Sequence, residues 1–263
     1  MKIKNQSRVK FLQVLVFFLP LLLLTPASAA PVSAQWEYKI SIVKGAPTPD
    51  MATKAIAMAG MVFGAVTVAN GSDSGTIDSK GFSLRSNIKV AALLSMLDSN
   101  LNMSRQSTGV YFGDYAFTQS YFDKRGSNPP LQFVVNMKTK QYVFTNGPGP
   151  ARSEPYKYMV VDMAMLPYSF IGRPAPKSKS FVAFSDGKTI YNATLTPKTE
   201  KLEIAGKDIA AVRLSGTAST SSLDIWVRES DGYPLQMRIG LNAQYGAVLE
   251  QRVQAVPNAL FIR

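Results

Sequence analysis

Carboxylates, hydroxyls and lysines are the reactive side chains available here, because the 263 residues include no histidine and no cysteine. Without imidazole there is no Ser-His-Asp triad, no imidazole-bound zinc and no base of ordinary neutral pKa. Without thiols there is no disulfide, no thiolate metal site and no thiol nucleophile. What remains is acid-pair hydrolysis, which needs two carboxylates about 5 to 10 Å apart in a cleft, a Ser-Lys dyad, or an oxygen-ligated cation. Glu154, Asp162, Asp186, Asp224, Glu229 and Asp231 are the acids available for such a pair. Nearly all fall in expected turns or on polar strand faces, where acids are usually solvated. Ser74 with Lys80, and Ser86 with Lys89, lack the strand-turn-helix setting of a nucleophile. Asp73, Asp78 and Asp98 lack the spacing of a calcium loop. Met51, Met58, Met61, Met159, Met163 and Met165 have the softness for copper(I), but such spacing reads better as core or flexible lining. The expectation is no catalytic residue, no metal and no cofactor.

The N-terminus has the form of an export signal. Lys2, Lys4, Arg8 and Lys10 precede an apolar run at 11–24, and Ala27-Ser28-Ala29 supplies a small-x-small cleavage site. The run is short for a bilayer span, and Pro20 and Thr25 argue against a retained anchor. Cleavage is expected after Ala29, with Ala30 and Ala34 as alternatives, leaving one β-rich domain over 30–263 in the periplasm. No cysteine stands at the cleavage point to carry a lipid.

Lysine and arginine number 29 and the acids 17; removing the leader's four basic residues leaves 25, a surplus of eight. Scattered positive charge on an exported chain argues against nucleic acid. It suits solubility, an anionic membrane surface or an acidic envelope polymer.

The elements that must position any site read as short strands. Residues 35–44 alternate, with Trp36, Tyr38, Ile40 and Ile42 on one face. Residues 60–69 lead to Asn70-Gly71, a hairpin turn signal, with 76–86 as the return strand. Val90, Leu93, Leu94, Leu97 and Leu101 recur at helical spacing, so a helix capped by Ser86 or Asn87 is expected over 87–101. Strands follow near 102–111, 116–124, 131–136 and 141–145, separated by glycine, proline and polar breaks. After Asn146-Gly147-Pro148-Gly149-Pro150 comes an irregular crossing segment with a short helix near 161–166. Regular strands resume at 179–184, 189–195, 202–204, 209–216, 223–228, 235–241 and 247–255, with Asp186-Gly187, Gly206-Lys207 and Asp231-Gly232 as turns. Such a pattern predicts an all-β fold: an antiparallel β-barrel, half-barrel or spiral of roughly 10–14 strands, because a flat open sheet of this size would expose its edges.

Aromatic residues sit almost wholly on these strands. One reading is a packed core with Trp226 as an anchor. The other is a curved sheet whose inner face leaves a cavity for an amphiphile, lined by Trp36, Tyr38, Phe63, Phe122, Phe133 and Trp226.

Several stretches from about residue 58 to 255 resemble the DUF3108 family of exported bacterial proteins of unknown function. They are Gly60-Met61-Val62-Phe63-Gly64-Ala65-Val66-Thr67-Val68, residues 115–125, and Phe184-Ser185-Asp186-Gly187-Lys188. Ile204-Ala205-Gly206-Lys207, Leu223-Asp224-Ile225-Trp226 and the Asp231-Gly232-Tyr233-Pro234 turn complete the likeness. Asp162-Met163-Ala164-Met165-Leu166 is like a D-x-x-S-x-L segment but lacks its serine. The resemblance implies a barrel-like or spiral antiparallel fold and a periplasmic home. It brings no catalytic residues.

The functional expectation is a non-enzymatic protein of the cell envelope, holding an amphiphilic or lipid ligand or an envelope protein. The alternatives are a lipid or lipoprotein carrier lidded by 87–101, and a hydrolase using Asp162 and Glu154.

Overall fold

The computed structural model describes residues 32–43, 65–92, 102–240 and 248–257. Within them fifteen strands form a single sheet, one beyond the upper end of the expected number. They are β1 (Val32–Val43), β2 (Ala65–Ile77), β3 (Gly81–Val90), β4 (Met103–Phe112), β5 (Tyr115–Arg125), β6 (Leu131–Asn136), β7 (Gln141–Asn146) and β8 (Arg152–Pro155). The second run is β9 (Val160–Asp162), β10 (Ser180–Ser185), β11 (Ile190–Ile204), β12 (Lys207–Ala218), β13 (Ser221–Arg228), β14 (Pro234–Gly240) and β15 (Val248–Val253). All neighbours pair antiparallel except β9 and β10, which are parallel.

The strand order explains why the sheet rolls. The chain starts at the sheet's middle, walks outward from β1 to the β8 edge, and crosses to the opposite edge at β9. It then walks back until β15 pairs with β1. Laid flat, fifteen strands would hold their edges roughly 65–70 Å apart. The link from Pro155 to Val160 can span at most about 18 Å. The sheet must therefore curl until β8 and β9 come near one another. They do not pair, so the roll stays open. β8 is a short edge carrying Arg152, Glu154 and Pro155, features that discourage intermolecular pairing. Arg152 also donates to the Lys188 carbonyl of the β10–β11 turn across the gap.

Inward side chains form one large apolar cluster centred on Leu195, Leu214, Ile225 and Leu235, and a second around Phe117, Tyr121, Phe133 and Tyr142. A third joins Tyr38, Ala69 and Ile88. The second cluster includes Val160, Ala164 and Ala183, so the β9–β10 edge lies against the inner face of β5–β7.

Several expectations are corrected. Asn70-Gly71 is no turn: both lie inside the 13-residue β2. The hairpin closes instead at Asp78, whose carboxylate accepts the Lys80 and Gly81 amides. Gly71 is needed because the Tyr38 ring lies where a Cβ would stand, 2.0 Å from Cε2. Residues 87–90 continue β3 rather than opening a helix, and Ser86 is a strand residue bonded to Tyr38. Ala92 is helical, and 93–101 lie outside the described residues. Leucine spacing there could not reveal where a paired strand stops. The short helix placed near 161–166 is instead β9 followed by a 3-10 turn at Leu166–Tyr168. The strands read at 189–195 and 202–204 are one, the 15-residue β11. It ends at Ala205-Gly206, where both residues have positive φ, 51° and 76°.

Candidate functional site

Strand register places one polar row on the inward face. Asp73 on β2 faces Ser86 on β3, Ser86 faces Arg105 on β4, and Arg105 faces Asp123 on β5. All four lie away from solvent or nearly so, and buried charge requires partners. Asp123 accepts from Arg125 at 2.8 Å and lies 3.6 Å from Arg105. Asp73 accepts from the Tyr38 hydroxyl at 2.9 Å and the Tyr168 hydroxyl at 2.6 Å. Burial lifts the Asp73 carboxyl above the ordinary aspartate range, and its hydroxyl neighbours act against that lift. The same desolvation pushes Tyr38 and Tyr168 up, keeping both as neutral donors.

Inside this roll runs the segment from β9 through the 3-10 turn. Residues 160–172 are buried, Met163 alone being half-buried. One carboxylate secures its start. Asp162 accepts from Thr118 at 2.7 Å and from Ser107, and its other oxygen accepts the Ala164 and Met165 amides at 2.8 and 3.1 Å. The Asp162 amide donates back to Thr118 at 3.0 Å. Burial raises the Asp162 carboxyl, the donors opposing. Tyr168 reaches Asp73 at mid-segment, and the far end is held by the β13–β14 turn. There Gly172 donates to the Asp231 carbonyl at 2.8 Å and Ala175 to the Glu229 carbonyl at 2.9 Å. Arg228 clamps the Asp231 side chain at 2.8 and 2.6 Å.

Where this inner segment meets the rim there is a groove of about 700 Å³. Four pieces of chain wall it: Asp114 to Ala116 at the β4–β5 turn, Tyr158 and Met159 before β9, Phe170 to Pro176 at the exit, and β10 around Phe181. Tyr158 and Phe181 touch, with ring centroids 5.3 Å apart. Arg173 pairs with Asp114 at 3.1 Å, and its guanidinium lies 5.7 Å from the centre of the Phe170 ring. The Arg173 Nε is buried without a hydrogen-bond partner. Aromatic walls with one fixed cation are suited to holding an apolar chain that ends in a polar or anionic group.

The residues expected to line a cavity do not gather round one: Trp36 and Trp226 belong to the same large cluster, and the others are spread apart. Trp36 and Phe133 are buried in different apolar clusters, and Tyr38 in the third. Phe63 lies outside the described residues. Phe122 faces Gln106 and Gln132, which puts it on the outer surface. Trp226 faces Arg213 and Gln236, opposite to Leu223, Ile225 and Val227. It is only 3% exposed because Arg213 and Arg238 lie over its ring and Glu200 accepts its Nε1 proton. None of these described residues lines the groove. Alternation and aromatic content located strands but could not assign their faces. The groove residues missed from sequence did leave a trace: Phe181 stands out of phase beside buried Val182, and Tyr158 and Met159 follow Lys157 in an irregular stretch.

Asp162 and Glu154 do not share a cleft. The first is enclosed by hydroxyls and amides; the second is on the β8 edge, paired with Arg152 at 2.6 Å. Among the described residues no group of acids could hold a metal, and no helix is long and apolar enough to cross a membrane.

No family model matches the chain, and no curated protein does. Among solved structures, it is similar to a beta-barrel-like protein of a domain of unknown function, DUF1849, from Brucella abortus. The TM-score is 0.45 and the identity 8%, over 86% of this chain and 97% of that one. The fold assignment therefore stands on the strand pairing itself.

Proposed function

We propose that this is a non-enzymatic protein of the cell envelope, exported to the periplasm, which holds the apolar part of an amphiphile in the groove beside Arg173. The observation that carries this reading is the groove: aromatic walls, about 700 Å³, and a cation anchored at its side. That volume lies within the few hundred to about 1,000 Å³ usual for small-molecule sites. The buried acids support the non-enzymatic part. Asp73, Asp123, Asp162 and Asp231 each accept from hydroxyl, amide or guanidinium partners, and none of them lines the groove. The leader and the resemblance to DUF3108 support the periplasmic home.

The test is displacement of a fluorescent fatty-acid probe from the mature protein in vesicle-free buffer, with mass spectrometry of lipid extracted from freshly purified material. Saturable probe binding that weakens about tenfold in Arg173→Gln is the expected result, for a lost charge-assisted contact. No probe binding and no co-purified amphiphile would refute the reading. Cell fractionation tests the location: a cytoplasmic mature chain contradicts export.

A further inference from the structure

Large apolar side chains are exposed very unevenly. Tyr115 is 60% exposed, Phe181 47%, Phe112 and Tyr158 44% and Met159 39%. These five border the groove or the hairpin that walls it, and only Val134 and Met137 are comparably exposed elsewhere among the described residues. Phe112 pairs directly with Tyr115 across the β4–β5 turn, so the hairpin presents two aromatic rings.

Charge at the same place is one-sided. Lys157, Lys177 and Lys179 are exposed beside the groove and form no ion pair among the described residues. The acid there is Asp114, already held by Arg173. On the outer face of β11–β15 several cations are matched, Lys198 with Glu200, Arg213 with Asp224 and Arg238 with Glu250. Among the described residues, three unpaired lysines thus stand beside the exposed rings at the rim.

Aromatic tips ringed by lysines fit the interface of a negatively charged bilayer. Rings settle at headgroup depth while each lysine near the surface adds electrostatic attraction. We infer that the mouth of the groove is a docking surface for an anionic lipid bilayer, at which the protein takes up or releases its amphiphile. This deepens the proposed function and rests on it for the groove's content.

The experiment is co-sedimentation of the mature protein, with no added amphiphile, with vesicles of phosphatidylcholine alone or with about one third phosphatidylglycerol. Binding to the anionic vesicles at least about tenfold tighter, and lost at high salt, is expected. Lys177→Gln with Lys179→Gln, and separately Tyr158→Ser with Phe181→Ser, should each weaken it about tenfold, while Lys201→Gln with Lys207→Gln has little effect. Circular dichroism and melting of each variant establish that it is folded. Equal binding to both vesicle types overturns the inference, as does equal loss from rim and remote lysine changes, which would mean net charge alone. Unchanged binding by the ring variant also overturns it, as does a ring-dependent dimer that ignores vesicles. The probe assay contains no vesicles, so the two readings fail separately. Probe binding without docking removes only this inference; docking without probe binding removes the amphiphile holder and leaves a membrane-docking surface.

Discussion

The Tyr168 hydroxyl donates to Asp73 at 2.6 Å, joining residues 95 positions apart in the chain. Tyr38 donates to the other carboxylate oxygen, so one acid links β1, β2 and the 3-10 turn of the inner segment. The turn lies between Asp162 and the groove-lining Phe170 and Arg173, so the latch that fixes the segment also fixes one wall of the groove.

Tyr168→Phe deletes that donor and leaves a buried carboxylate oxygen short of a partner. The expected cost is about 1–3 kcal/mol. Urea denaturation measures it, and probe affinity should fall together with stability. A variant as stable as the parent would show that the contact is not a latch.

Burial raises the Asp73 and Asp162 carboxyls, so the folded chain binds those protons more tightly than the unfolded chain. Below the unfolded aspartate pKa of about 3.9 both states are protonated and the groups have no effect on the balance. As pH rises through the raised values the folded state loses its favoured neutral form, and stability declines; above them it levels off. Asp73→Asn removes the Asp73 part of this decline. The stability of the parent relative to Asp73→Asn should therefore be highest near pH 4 and shrink toward neutrality, in urea midpoints taken across that range. A difference that grew with pH would mean a lowered carboxyl.

Gly71→Ala places a methyl against the Tyr38 ring, 2.0 Å from Cε2 and 2.2 Å from Cζ. Forcing the ring away strains the bond to Asp73 as well as the packing, with an expected loss of about 1–3 kcal/mol. Thermal melting reads it. Pairing the change with Tyr38→Ala, which vacates the site, should recover part of the alanine penalty in a double-mutant cycle.

Arg213→Ser with Arg238→Ser uncovers Trp226. Each cation over an indole contributes about 0.5–1 kcal/mol at such a site. Iodide should then quench a tryptophan fraction that the parent protects, since Trp36 stays buried at 1% exposure. Unchanged quenching would mean that something other than the two guanidinium groups shields the ring.

Strands were legible wherever one face meets the core and the other meets water. β6 alternates in sequence as it does in burial except at the exposed Val134, as does β3 over 82–85 and β1 over 36–39, before its bulge between Ile40 and Ser41. The Asp186-Gly187 and Asp231-Gly232 turns stand where dipeptide chemistry put them, with positive φ at both glycines. Asn70-Gly71 carries an equally strong local signal, yet β2 runs straight through it, because pairing with β1 and β3 and the Tyr38 ring above Gly71 outweigh a turn preference. Residues 160–172 show no strand or helix period, since a segment surrounded by protein on all sides has no wet face to alternate with.

Amino-acid order alone determined that imidazole and thiol chemistry are closed to this protein, that its chain is built from short strands, and where many of the tight turns fall. Those are properties of side-chain inventory and of neighbours within a few residues. Tertiary structure decided that the two sheet edges come near one another without pairing, that Asp73, Asp123 and Asp162 serve the interior, that Trp226 lies under two arginines on the face opposite Ile225, and that Tyr115, Tyr158 and Phe181 share one groove. Each of those depends on strand register between residues tens of positions apart, and a shift of one residue would turn every side chain to the opposite face.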